Sequence, residues 1–243
     1  MNSTEVFYER LNRPMNDLSL PRRRQDVLFD KKWKIFLRQA RLFCFLPFID
    51  AVFAAGSMAL GNVHETSDFD VIVLCRYGRI FTARAFCILT FELLGKRREK
   101  LTHKEEASDM VCLNHFVTEK SSCLAEPHNL YWQELYKNLV PLYGEDKTIR
   151  DFFKTNDWMG ERTYIGDIRH KNPRSRLKIF LEYILSGLIG NKLEAFLKKL
   201  QVRRIKNNLE KDVHGFEPRL RVSDEELEFH PDTKRIRELV RLD

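Results

Sequence analysis

A chain of 243 residues with 43% hydrophobic and 12% aromatic residues can bury a core of its own, which excludes a wholly disordered protein and one that needs disulfides to fold. Charged residues make up 32%, and the longest apolar stretches, residues 85–94 and 179–189, are broken by Glu92, Glu182 and Ser186, so they read as buried helices too short to span a bilayer. The net charge of +7 is uneven: residues 10–41 hold ten Lys/Arg against three Asp/Glu, residues 169–221 fourteen against five, and residues 222–243 four against seven, so two basic regions offer either a field for phosphates or solvated helix faces with an acidic tail laid over them.

Residues 1–20 carry Glu5, Glu9, Arg10, Arg13 and Asp17 and no apolar run, and the five cysteines form no C-x-x-C pair. Together these features predict a cytoplasmic protein with reduced, mostly core cysteines. In chain order, residues 1–24, with Pro14, Pro21 and Arg22-Arg23-Arg24, read as a loosely packed lead-in. Phe29, Trp33, Phe36, Ala40 and Phe43 recur at spacings of three and four and predict an amphipathic helix ended by Pro47. Residues 51–55 read as a buried strand stopped by Gly56, and residues 69–75, rich in β-branched side chains, as a second strand. A helix over 80–94 closed by Gly95, a charged loop over 96–108 and a third strand over 110–118 follow.

From residue 129 the pattern turns helical, with Tyr131, Trp132, Leu135 and Leu139 on one face until Pro141 interrupts it. Further helices are predicted over 147–154 and 174–208, the latter with a kink or close packing at Gly187 and Gly190. Beyond residue 213 only short patterns remain, consistent with a tail or strap. The predicted class is α/β, a mixed sheet with helices against it. Its parts are a lead-in over 1–24, a core over 25–125, a helical region over 126–212 and a tail or strap over 213–243.

The chemically informative stretch runs from Gly56-Ser57 to Asp68-Phe69-Asp70, entered from one strand and leaving into another. Gly56 permits a tight turn and close approach to a ligand, and Ser57 can cap a short helix whose amides face an anion, which makes a phosphate seat. Asp68 and Asp70, two residues apart at a strand start, face one side with Cα atoms roughly 7 Å apart, while Phe69 points into the core. Two carboxylates on one edge suit hard cations such as magnesium, which binds through one or two carboxylates plus substrate phosphates. A pair of such ions about 4 Å apart activates an attacking hydroxyl and stabilises a leaving pyrophosphate.

Gly-Ser, ten residues, then Asp-hydrophobic-Asp resembles the signature of the polymerase beta type nucleotidyltransferase superfamily, and within it the small bacterial nucleotidyltransferase domains. The match covers about twenty residues, extended by strand and helix order to residues 50–118. The resemblance implies a nucleotidyltransferase-like core in which Gly56 and Ser57 hold the triphosphate of an NTP and Asp68 and Asp70 bind magnesium or manganese. It also implies a third carboxylate from a later strand acting as base. Asp109 is the candidate, with Asn114, which cannot ionise, as the alternative occupant and Glu105 or Glu106 as substitutes.

Arg79 and Arg84 are candidates for phosphate contact or exposed helical arginines. His64 either touches the base or leaving group or sits on a surface loop. His103 and His115 have no partner at metal-ligand spacing, and no P-loop, dinucleotide fingerprint or serine-hydrolase elbow is present. Arg203, Arg204, Lys206, Arg219 and Arg221, with Phe216 and Phe229, offer a nucleic-acid grip or a solvated face.

The expected function is magnesium-dependent transfer of a nucleoside monophosphate from an NTP to a hydroxyl on RNA, protein or a small molecule. The rivals are an inactive nucleotidyltransferase-like nucleotide-binding module and an RNA-binding protein. No membrane partner is expected, and an oligomer is open.

Overall fold

The computed structural model describes residues 20–98, 107–126, 128, 130–160, 173–209 and 219–230, among which seven helices and six strands form a mixed α/β fold. The first helix, α1 (Leu20–Ala40), begins inside the expected lead-in. Its stripe of Phe29, Trp33, Phe36 and Ala40 is buried as the spacing requires, and a 3-10 turn (Arg41–Phe45) ends it. Then follow β1 (Ile49–Ala54), the short α2 (Gly56–Leu60), β2 (Phe69–Cys75), α3 (Ile80–Leu93) and β3 (Val111–Thr118). The second half holds α4 (Leu130–Lys137), β4 (Val140–Gly144), α5 (Asp146–Thr155), α6 (Arg176–Leu185), α7 (Leu188–Leu209), β5 (Arg219–Val222) and β6 (Glu226–His230).

All six strands join one sheet in the order β4-β1-β2-β3-β6-β5. Only β2 and β3 are parallel, because α3 carries the chain back between them, and every other neighbour pair is antiparallel. The sheet therefore takes one strand from the expected helical region and two from the expected tail. Pro141 lies in β4, an edge strand, where a missing N–H can face away from the ladder. β5 and β6 alternate polar and apolar residues, Arg-Leu-Arg-Val and Glu-Leu-Glu-Phe, with Leu227 and Phe229 turned into the core.

The sheet has a core on each face. Phe69, Val71 and Val73 of β2 pack beneath α1 and α3, with the Phe36 and Phe69 rings stacked at 4.5 Å. Ile72 and Leu74 face the other way, onto α4 and α5, where Phe53 stacks on Phe152 at 4.3 Å. This alternation places Asp70 on the α4–α5 side of the sheet.

Two helical expectations need correction. The single helix over 174–208 is two, α6 and α7, broken at Ser186-Gly187, and a Cβ at Gly190 would collide with the Leu185 carbonyl. Residues 179–189 are mostly exposed, with Leu185 in the core, because polar residues on the inward side of α6 decide its orientation. Lys178 donates to the Ile49 carbonyl and to Tyr143 Oη (2.8 Å), and the Phe48 amide donates to Glu182 Oε1 (2.8 Å). Arg76 donates to Glu182 Oε2 (3.2 Å), and the large apolar residues Leu177, Ile179, Phe180, Tyr183 and Ile184 are left exposed. On α3, Leu89 and Leu93 are likewise exposed. No helix among the described residues is long and apolar enough to cross a membrane.

Candidate functional site

β1 ends against the start of β2, where the Ala55 amide donates to the Asp70 carbonyl (3.0 Å). The chain then turns through Gly56 at φ +57°, and any Cβ there would run into the Asp70 carboxylate. Glycine is therefore required twice, by the positive φ and by the contact. α2 begins at once, with Ala55 at its N-cap making no side-chain cap bond; Ser57 lies in the first turn and does not cap. The amides of that turn have no partner within the helix. Gly61, at φ +76°, closes α2 by donating to the Ser57 carbonyl (2.9 Å).

The loop before the aspartates is organised by a buried lysine. Lys32, 3% exposed, donates to the carbonyls of Glu65 (2.5 Å) and Ser67 (2.9 Å) and to Ser108 Oγ (3.1 Å), and pairs with Asp109 Oδ1 at 2.9 Å. Gln39 donates to the Asp109 carbonyl (2.8 Å), and the Asp109 amide to the Ser67 carbonyl (3.2 Å). Asp109, at φ +62°, thus ties the entrance of β3 to α1 and to the loop. It does not join the groups that converge on Asp70.

Those groups are Asp68, Cys112 and Asn114. Ligand atoms of Asp68, Asp70 and Cys112 all lie within 4.8 Å of one another. Cys112 is the register partner of Asp70 on β3 and its thiol hydrogen-bonds that carboxylate. Asn114 Nδ2 approaches Asp70 Oδ1 at 3.4 Å. Arg98 donates to Asp68 Oδ2 at 2.5 Å. A pocket over this cluster is lined by Gly56, Asp70, Asn114 and His115 and walled by Trp132 and Leu135 of α4. His115 Nε2 lies 3.2 Å from Glu226 Oε1 of β6, and Glu228 joins the same buried group.

Burial, and next the charge of Asp68, push the Asp70 carboxyl up to about 7, with Arg98 and the Cys112 thiol pulling the other way. Arg98 is held above its ordinary value: burial opposes this, but the acidic groups around it, Asp68 foremost, outweigh it. Burial, followed by the charges of Asp70 and Asp68, pushes the Cys112 thiol well up, so it stays neutral and offers a hard cation little. The divalent cation implied by the resemblance fits these donors in one respect: the carboxylates of Asp68 and Asp70 lie close together, and a cation between them would relieve the repulsion that, after burial, raises Asp70. The Arg98 guanidinium already answers the charge of Asp68, and Asn114 supplies an amide where a third carboxylate would add charge.

Gly56, Asp68 and Asp70 thus come together, with Ser57 next along the chain from Gly56, and Arg79, Arg84 and His64, like Asp109, lie elsewhere. Arg79 is at the far end of β2, where it donates to the Ser186 carbonyl (3.2 Å) and to Asn191 Oδ1 (2.6 Å) and covers the Phe48 ring. Arg84 lies beneath the opposite sheet face, between the Phe116 and Phe229 rings and bonded to Gln201 Oε1 (2.7 Å). Both follow from α3 starting at the end of β2 away from Asp70. His64 is exposed, its amide bonded to Ser67 Oγ (2.9 Å). Glu105, Glu106, His103 and Phe216 fall outside the described residues. Sequence reasoning missed Arg98 and Cys112 as site residues and had no signal joining His115 to Glu226, 111 positions away. The polar alternation of residues 226–230 could have revealed β6. No family model, no curated protein and no solved structure matches this chain.

Proposed function

We propose that the chain is a magnesium-dependent nucleotidyltransferase that moves a nucleoside monophosphate from an NTP to a hydroxyl-bearing acceptor. The observation that supports it is the contact between the backbone of Gly56 and the carboxylate of Asp70, which line one pocket together, with Asp68 beside Asp70. A phosphate seated on the first turn of α2 would then lie against the two aspartates. Asp68 and Asp70 would hold the magnesium, which supplies charge neutralisation to the triphosphate and acidity to the bound hydroxyl. Gly56 admits the phosphate because no side chain can stand there, and Ser57 offers a hydroxyl within the same turn. Trp132 and Leu135 give the pocket an apolar wall that excludes water on the α4 side.

A second reading, a nucleotide-binding module without transfer, is favoured by one specific observation. Asn114, which can neither ionise nor accept a proton as a carboxylate does, stands beside Asp70, while Asp109 is engaged by Lys32. Calorimetry with each of the four NTPs, with and without magnesium, paired with mass spectrometry of nucleotidylated products from an RNA and a protein acceptor pool, separates the two. Magnesium-dependent binding with product, both lost in Asp68→Ala and Asp70→Ala, supports transfer. Binding without product supports the module. No NTP binding at all defeats both.

A further inference from the structure

The hairpin of α6 and α7 turns its apolar side outward. Between Arg176 and Lys192 the only charged residues are Lys178 and Glu182, and both are engaged inward, at Ile49, Tyr143, Phe48 and Arg76. At 100° per residue, the exposed Leu177, Ile179, Phe180, Tyr183 and Ile184 cover an arc of about 160° of α6, wider than the ~100° stripe by which an ordinary surface helix faces its core. Tyr183 is 83% exposed and Leu188 79%.

α7 continues the surface. Ile189, Phe196 and Leu200 form an outward stripe beside Leu193 and Leu197, which pack on the core. The orientation of α7 is also held by polar bonds: Glu194 accepts from the amides of Phe81 (2.9 Å) and Thr82 (2.8 Å) at the start of α3, and Gln201 donates to the Phe81 carbonyl (2.8 Å). Neither helix can turn its apolar side inward without breaking these bonds and stranding Lys178 and Glu182.

We infer that this face is the interface of a homodimer, with α6 and α7 of one copy packed against α6 and α7 of a second. The area argues for a second copy. Nine large apolar side chains, each more than two-fifths exposed, amount to roughly 900 Å² per copy, about the 800 Å² that a stable interface buries on each partner. That exceeds the largest apolar patch of a typical monomer, about 300–600 Å². On α6 past Arg176 this surface carries no outward charge, and on α7 the exposed Lys192 and Lys199 stand beside Phe196, so a second copy can meet the α6 side apolar face to apolar face across a two-fold axis.

The test is sedimentation equilibrium and light scattering of the full chain from 1 to 50 µM, with Phe180→Asp and Tyr183→Asp singly and together. The wild type is expected at twice the monomer mass, and the double variant at the monomer mass, its Kd weakened by at least ~100-fold, with an unchanged circular dichroism spectrum. Should the aspartates prevent folding, Phe180→Ser with Tyr183→Ser is expected to give the same dissociation. A monomeric wild type at 50 µM overturns the proposal. Flotation of that monomer with phosphatidylserine vesicles would assign the face to a lipid surface, and absence of flotation to cover by another segment of this chain or a different protein. A dimer that persists in the folded double variant overturns it equally.

Discussion

α5 and α6 are both ten residues long, yet they meet the domain in opposite ways. α5 buries Ile149, Phe152 and Phe153 at the spacing of one helical face and turns Asp151 and Lys154 to solvent. α6 places Lys178 and Glu182 inward and leaves Leu177, Ile179, Phe180, Tyr183 and Ile184 outside. Apolar periodicity identifies the two sides of a helix, but the side that faces the domain is set by whichever contacts win. In α5 these are aromatic stacks with Phe53 and Tyr136; in α6 they are hydrogen bonds to backbone groups at the start of β1.

The contrast can be broken by substitutions on each helix. Phe152→Ala should cost the most, about 3–5 kcal/mol in urea denaturation, because it opens a cavity between Phe53 and Tyr136. Lys178→Ala should cost about 2–4 kcal/mol, since it leaves the buried Ile49 carbonyl and Tyr143 hydroxyl without their donor; a loss below 0.5 kcal/mol would mean that the polar latch does not orient α6. Phe180→Ser, measured at a concentration below the Kd of the proposed dimer, should change monomer stability by less than about 0.5 kcal/mol although it removes a larger apolar group than Lys178→Ala does.

Between the last two in size lies an effect at the sheet face carrying Asp70, the other place where charge is enclosed. Its carboxyl is raised to about 7 in the folded chain from an ordinary 3.8, so folding favours the protonated form. The stabilisation is complete below pH ~4 and is lost as pH rises through ~7. The metal-free protein should therefore be less stable at pH 8 than at pH 5 by at most about 2–3 kcal/mol from this group, less than the full shift implies because at pH 5, above the ordinary carboxyl value, part of the stabilisation is already lost. Asp70→Asn should flatten that dependence, and a wild type equally stable at both pH values would show that Asp70 is not strained by its neighbours.

Much of this architecture is legible along the chain. The stripe from Phe29 to Ala40, the β-branched run of β2, Gly95 after α3 and the amphipathic pattern of α5 each encode a local conformation, and the structure has an element at each. Gly56, Ser57, Asp68 and Asp70 could be singled out because they sit close in sequence on a strand-turn-helix-strand unit. Arg79 and Arg84 could not be placed from their positions, because the direction of α3 relative to the sheet decides them. The strands β4, β5 and β6 were obscured by Pro141 and by the charges of residues 219–230, which suggest a loop until alternation is read instead of composition.

The sequence by itself determined the first helix, β1 to β3 with α3 between them, and α5, together with their apolar sides, since those depend on neighbours one to four residues away. Tertiary structure alone decided which groups complete the cluster and which way the hairpin faces. Arg98 reaches Asp68 across 30 positions, Lys32 secures Asp109, Glu226 meets His115 across 111, and Glu182 accepts from Phe48 across 134. These are bonds between specific polar atoms. No periodicity carries them, because their energy depends on separations in space that exist only once the sheet has formed.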